Sequence, residues 1–291
     1  MPPLQLYVSI LEAATFGALV ALAYTLVLAS CRIFNFAIGA YAMVAAMVTV
    51  RVQEWGWSIP LGVVVGILIA GALGFASNYL VLRPIEASRL KAVENTIVVA
   101  FAALLFTLSQ GVGWLFGREI ARPKPLVAGP PIEWGGAFIP RQTIVALVIT
   151  AVVFIAAGVW FRFARSGRLF RAVGDNEDAA RQIGIPIERM RSLGFILGGL
   201  IGGLAGMLYA PKAGVSFDSS LAWSLFGFLV LVIGGTGKLI APIIGGIILA
   251  SLNVLVPYYF GGGNVNYVIF LTAVAFFLLS PEGIFRVRVR V

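Results

Sequence analysis

The residues able to act as nucleophiles, bases or metal ligands are few and scattered. The chain has no histidine, which removes Ser-His-Asp and Cys-His pairs and His-based zinc sites. Its single cysteine, Cys31, ends an apolar run and has no partner for a disulfide or a thiolate metal site. The run Gly234-Gly235-Thr236-Gly237-Lys238 resembles a phosphate-binding loop until its spacing is checked. A Walker loop would need glycine at position 232, where this chain has valine. No catalytic centre, cofactor or metal site is expected.

Among the remaining polar groups, the longest series lies between residues 163 and 191. Asp175 or Asn176 can cap free backbone N–H groups, Glu177 and Asp178 suit the positive end of a helix dipole, Gly184 can take a left-handed position, and Pro186 stops continuation. The pattern predicts a helix over 176–183. A helix of about two turns is marginal in water, because nucleation costs more than so few hydrogen bonds return. It should therefore dock. Ala179, Ala180 and Ile183 give it a small apolar side, and Arg171, Arg181, Arg189 and Arg191 surround it with charge. The bland alternative is a solvated loop whose arginines only set orientation.

The elements that position this stretch are hydrophobic. Sixty per cent of the 291 residues are apolar and 11% charged, whereas soluble domains average about half apolar and a quarter charged. The apolar residues fall in runs of the length that spans about 30 Å of hydrocarbon. Segments are expected near 6–31, 35–52, 59–82, 95–117, 141–162, 192–211, 222–236, 239–258 and 264–280. The first two are parted only by Arg32-Ile33-Phe34-Asn35, a tight turn or a broken helix. The expected fold class is an all-α polytopic membrane protein of eight or nine transmembrane helices in one domain, 1–291, its first span retained.

A net charge of +9 fits a membrane protein without invoking nucleic acid. Segments 83–94, 162–191 and 286–290 carry 3, 7 and 3 Lys/Arg, which places them and the C-terminus in the cytoplasm. The loop 117–140, with five prolines, is then external and extended. Arg118, Arg122 and Lys124 count mildly against that side.

Gly194, Gly198, Gly202 and Gly206 recur every fourth residue and line one helix face, a packing device first. Asn35 interrupts two apolar runs and could cap a half-helix facing a solute, or simply start the second span. Asn78, Asn95, Asn253, Asn264 and Asn266 are weaker candidates. Glu12, near one membrane end, is expected to snorkel to the interface.

At Arg171-Ala172, Asn176, Asp178, Ala180 and Gly184-Ile185, followed by Gly203-Leu-Ala-Gly-Met-Leu-Tyr209, the chain resembles the ATPase-coupling loop of branched-chain amino acid ABC permeases of the LivH/LivM type. Ala21-Leu-Ala-Tyr-Thr-Leu-Val27, Asn35-Phe-Ala37 with Gly39, Leu82-Arg-Pro84, Val232-Ile-Gly-Gly-Thr-Gly237 with Gly245-Gly246, and Leu279-Ser-Pro-Glu-Gly-Ile-Phe285 follow in the family's order, most like the LivH half. The resemblance implies a type II-like importer in a bacterial inner membrane. Its partners would be a second, non-identical permease, two cytoplasmic ATP-binding subunits that meet Arg171, Asn176, Glu177, Asp178, Ala180 and Gly184, and a periplasmic or lipid-anchored binding protein. Asn35 and Asn253 would lie on the solute path. Ile38, Ala40 and Asn253 stand where many relatives carry polar or acidic groups, which leaves urea, short amides and organic acids open beside amino acids. A self-contained channel or secondary transporter is the rival from another class.

Overall fold

The computed structural model describes residues 3–88, 93–236 and 238–261, with a few positions from 267 to 278. The ninth expected segment, 264–280, with Asn264 and Asn266, falls largely outside the described residues. The elements are α1 (Leu4–Cys31), α2 (Ile38–Glu54), α3 (Ile59–Ser77), α4 (Arg83–Glu86), α5 (Val93–Phe116), β1 (Ile132–Trp134), β2 (Ala137–Ile139), α6 (Arg141–Phe163), α7 (Arg165–Asp175), α8 (Glu177–Gln182), α9 (Ile187–Ala213), α10 (Ser219–Gly234) and α11 (Ala241–Phe260). Six helical stretches among the described residues are long and apolar enough to cross a membrane: Leu4–Cys31, Ile59–Glu86, Asn95–Phe116, Arg141–Phe163, Ile187–Ala213 and Ala241–Phe260. α2 and α10, with 17 and 16 residues, are shorter.

The centre of the bundle is α2 and α9. Residues 38–47 of α2 are all buried, so the helix is apolar on every side, as a helix enclosed by others must be. Close approach depends on glycine. Gly194 and Gly198 of α9 meet α1 at Ser30, Val27 and the Ala23 carbonyl, and Gly202 and Gly206 meet α2 at Ile38 and Ala42. A second row, Gly199 and Gly203, faces Ala70 of α3, while Gly71 and Gly74 of α3 meet Leu200 and the Phe195 carbonyl.

Several boundaries differ from the sequence expectation, each for a local reason. Between α1 and α2 the chain leaves helix altogether. Arg32 takes a left-handed conformation (φ 55°) and its N–H closes the last turn on Leu28 O at 2.8 Å. Arg83-Pro84 does not end the third apolar stretch, because residues Asn78–Leu82 form a π-helical turn that places Pro84 in the first turn of α4. There its missing N–H removes no helical bond. α7 is an amphipathic helix where the sequence reading saw only a polar loop; Phe170 and Val173 are buried beneath it. α9 starts at Ile187 rather than near 192, since Ile187, Met190 and Arg191 are buried and extend the helix past the apolar run. Within the proline-rich loop, β1 and β2 pair antiparallel, Ile132 with Ile139, across Gly135 and Gly136 at φ +57° and +80°. Positive φ at both turn positions is what a two-residue type I′ hairpin turn requires.

The glycine contacts make a prediction. A Cβ at Gly206 would meet the Ala42 carbonyl and lie 2.8 Å from its Cα, backbone atoms that cannot move aside. Gly206→Ala should destabilise the chain by about 1–3 kcal/mol, the usual cost of overpacking, read as a lower thermal midpoint in detergent. Gly158→Ala within α6, where a Cβ meets nothing within 4 Å, should leave the midpoint level or raise it, since alanine favours a helix interior by up to about 1 kcal/mol.

Candidate functional site

Polar side chains gather at three levels of the bundle. At one end lie α4, α7, α8 and the start of α9; in the middle is the gap between α1 and α2; at the other end are the proline-rich loop, the start of α6 and the end of α9.

At the first end, Asn176 sits in extended conformation before α8 and its Oδ1 accepts from Ala179 N at 3.0 Å. Gly184 follows α8 at φ +79°. Ala180 is 2% exposed and packs in a cluster with Phe161, Phe170, Val173, Ile185, Ile187 and Met190. The expected apolar side splits: Ala180 faces this cluster, whereas Ala179 and Ile183, the latter 76% exposed, point away from it. Arg171, Asp178 and Arg181 are also exposed.

The group that anchors α8 escaped the sequence reading. Arg191, its side chain 10% exposed, donates from NH1 to Glu86 Oε2 at 2.7 Å and from NH2 to both Glu177 oxygens at 2.9 and 3.0 Å. One planar fork thus ties α8 to α4 and α9, the geometry in which arginine surpasses lysine. Arg83 adds a 3.1 Å pair with Glu188. Arg32 does the same for α7, its guanidinium donating to Gly174 O at 3.1 Å and Asp175 O at 2.6 Å. These are last-turn carbonyls, which lack intrahelical partners and favour a cation. Arg32 and Glu86 carried no signal beyond charge near a span end, because their partners lie more than 90 residues away in sequence.

In the middle, Asn35 is fully buried. Its Oδ1 accepts from Ala37 N at 2.9 Å, and its Nδ2 donates to Tyr41 Oη at 3.3 Å, which in turn donates to Ser77 Oγ at 2.8 Å. Ser224 of α10 closes the gap by donating to Phe36 O at 2.6 Å and accepting from Gly39 N at 3.0 Å. The non-helical backbone is thereby satisfied from within the protein, as it must be at membrane depth. Asn78 is buried and donates to Ser192 Oγ at 3.0 Å. Asn95 is exposed on α5 and Asn253 half-buried on α11.

At the far end, Glu12 corrects an expectation. It does not snorkel outward but is 9% exposed, with Thr143 Oγ1 and Lys212 Nζ donating to its carboxylate. The half-exposed Lys212 of α9 and the Thr143 hydroxyl of α6 give the carboxylate partners without its reaching further outward. The pair borders a cavity of about 460 Å³ between α1, α6, α9 and the loop.

The family profile described as "Branched-chain amino acid transport system / permease component" matches residues 6–279. The chain belongs to this permease family. Within it, the chain is 28% identical to the high-affinity branched-chain amino acid transport system permease protein LivH of Escherichia coli K12, over 92% of this chain and 90% of the relative. It is also 28% identical to the autoinducer 2 import system permease protein LsrC of an Enterobacter species, over 70% of this chain and 58% of that one. Among solved structures, PsaBC from Streptococcus pneumoniae in complex with Fab superposes at TM-score 0.51 with 13% identity, covering 93% of this chain and 88% of that one, a likeness of fold. Family and apolar helices together make this a multi-pass inner-membrane permease of the ABC transporter class.

Arg191→Ala should leave Glu86 and Glu177 without their shared cation. Glu177 keeps Arg181 at 3.0 Å, but Glu86 loses its 2.7 Å partner and the tie between α4, α8 and α9 is broken, so the thermal midpoint should fall. Arg191→Lys, which keeps the charge and loses the fork, should fall between the two.

Proposed function

We propose that this chain is the membrane subunit of an ATP-driven importer for branched-chain or other small amino acids, with hydrolysis in separate subunits. In this reading the chain is one transmembrane domain of eight or nine spans. The end carrying α7 and α8 faces the cytoplasm together with the C-terminus, and the proline-rich loop faces outward. The basic segments support that orientation through the positive-inside rule.

The observation that carries the coupling role is the mounting of α8. Two turns of helix would not persist alone, yet Asn176, Gly184, Ala180 and the Arg191 fork hold it in place while Asp178, Ile183 and Arg181 stay exposed. An element that is rigid towards its own chain and open on its other side suits a docking helix for an ATP-binding subunit. With two ATP-binding subunits, a second, non-identical permease and a binding protein, closure of the ATP-bound pair would push on α8. Glu177 joins the push to Arg191, so α9 and α4 would receive it first.

Amino acids are favoured as cargo by the match with LivH across 92% of the chain. The LsrC relative, named for autoinducer 2 import, keeps a second reading alive: the same importer class carrying another small polar solute, urea, short amides and organic acids included.

Reconstitution tests these readings. The chain with its partner subunits should accumulate leucine or isoleucine in proteoliposomes only with ATP, and the chain alone should not; concentrative uptake by the chain alone would establish the secondary-transporter reading instead. Asp178→Arg should reduce ATPase association and uptake while costing no more stability than its place in the first turn of α8 implies, about 0.3–1 kcal/mol. Asn176→Ala should cost about 1 kcal/mol of helix stability and lower uptake per ATP hydrolysed. Uptake and coupling unchanged by both variants would remove α8 from the transmission path.

A further inference from the structure

The cavity at the loop end has no part in the coupling described above. It joins apolar side chains, Phe16, Leu19 and Leu208, to three charged ones, Glu12, Lys212 and Arg141. Its volume of about 460 Å³ lies in the range of small-molecule sites, about 300–1,000 Å³. Ionisable residues in spans are costly and mark ligand paths more often than structure.

The charged pair also has capacity to spare. A carboxylate offers about four acceptor positions and an ammonium three donors. Thr143 engages Glu12 Oε1 and Lys212 engages Oε2, so each oxygen keeps a free acceptor position, and the half-exposed Lys212 has donors beyond the one used. Arg141 adds a second cation to the lining. The loop above the cavity is held by side-chain amides: Gln142 accepts from Leu126 N at 3.0 Å and donates to Leu208 O at 3.3 Å. Gln5 exchanges two hydrogen bonds with the backbone of Phe138, at 2.9 and 3.3 Å.

We propose that this cavity binds a small zwitterion, a free α-amino acid, wholly within one permease chain. Its ammonium would donate to Glu12, its carboxylate would accept from Lys212 and Arg141, and its aliphatic part would rest on Phe16, Leu19 and Leu208. This rests on the amino-acid reading above and gives it a location.

The test is binding of radiolabelled leucine to the full chain, purified with the subunits that accompany it, in nanodiscs of phosphatidylglycerol and without a solute-binding protein. Saturable binding is expected. 4-Methylpentanoate, which lacks the ammonium, and isopentylamine, which lacks the carboxylate, should bind at least about tenfold more weakly, as should leucine to Glu12→Gln or Lys212→Gln, each having lost a charge-assisted hydrogen bond. Because those substitutions could disturb folding, Ala146→Phe, which fills the cavity from α6 and leaves the pair intact, should abolish binding while the chain stays monodisperse. No saturable binding, or equal binding by all variants, would overturn the site. Loss of leucine binding on adding phosphatidylethanolamine would assign the same ammonium-and-anion chemistry to a lipid headgroup and overturn the amino-acid occupant. ATP-driven leucine uptake that persists in Glu12→Gln and Ala146→Phe would sink this site and leave the importer standing. Leucine binding without uptake would do the reverse.

Discussion

Helices in hydrocarbon gain little from burying apolar side chains, since lipid tails are as apolar as leucine; what holds them together is close van der Waals contact and hydrogen bonding. α9 meets that constraint with two rows of glycine. One row brings it against α1 and α2, the other against α3. With no side chain on those faces, α9 approaches carbonyl oxygens of Ala42 and Ala70 directly, and three helices fix its rotation and height. On α3, Gly74 meets the Phe195 carbonyl as Gly199 meets that of Ala70, so the two helices touch backbone on backbone at these points, while Gly71 makes room for the Leu200 side chain. The remaining helices have more freedom, and their outward residues such as Val148, Val152 and Ile155 of α6 are correspondingly exposed.

Pinning α9 so firmly gives meaning to what stands at its ends. Arg191 near its start and Lys212 near its end are 21 residues apart, about 32 Å at about 1.5 Å per residue, and each holds a carboxylate from another element: Glu86 and Glu177 at one end, Glu12 at the other. Arg191 thus fastens α8 to a helix whose far end borders the cavity. The π turn at Asn78–Leu82 lies opposite Ser192, one residue past the Arg191 fork, with Asn78 Nδ2 bonded to Ser192 Oγ at 3.0 Å.

What the sequence disclosed follows from how local each signal is. Spans announce themselves by length and composition, and the α8 cap by residues within nine positions, Asn176 to Gly184. The glycine row 194–206 is legible because its period matches the helix. The second row, Gly199 and Gly203, has the same period but only two members, too few to stand out in a glycine-rich helix. α7 was missed for another reason: its buried residues, Gly167, Phe170 and Val173, follow helical spacing, but charge on the remaining positions masked them. Arg191 counts in the sequence only as one of seven basic residues of 162–191 and Arg32 only as part of a break between two spans; what distinguishes both is a partner distant in sequence. Asn35 was legible as a break in the helix. That its amide is used on Ala37 and Tyr41 depends on the fold.

Glu12 shows most clearly where local reasoning stops. A lone carboxylate about two turns inside a span has two ways to lower its energy: reach the interface, or find a cation. From the sequence the first needs only a flexible side chain, so it is the natural reading. The second needs Lys212, 200 residues away, to arrive at the same depth, and that depth is set by the glycine faces of α9 against α1. The packing that unites the helices is therefore also what brings the two charges together. Had α9 been displaced by a single turn, about 5.4 Å along its axis, Lys212 would miss Glu12 and Arg191 would miss Glu177. Register along one helix decides both ends at once, which is why the ion pairs at the two ends are best understood as one design rather than two.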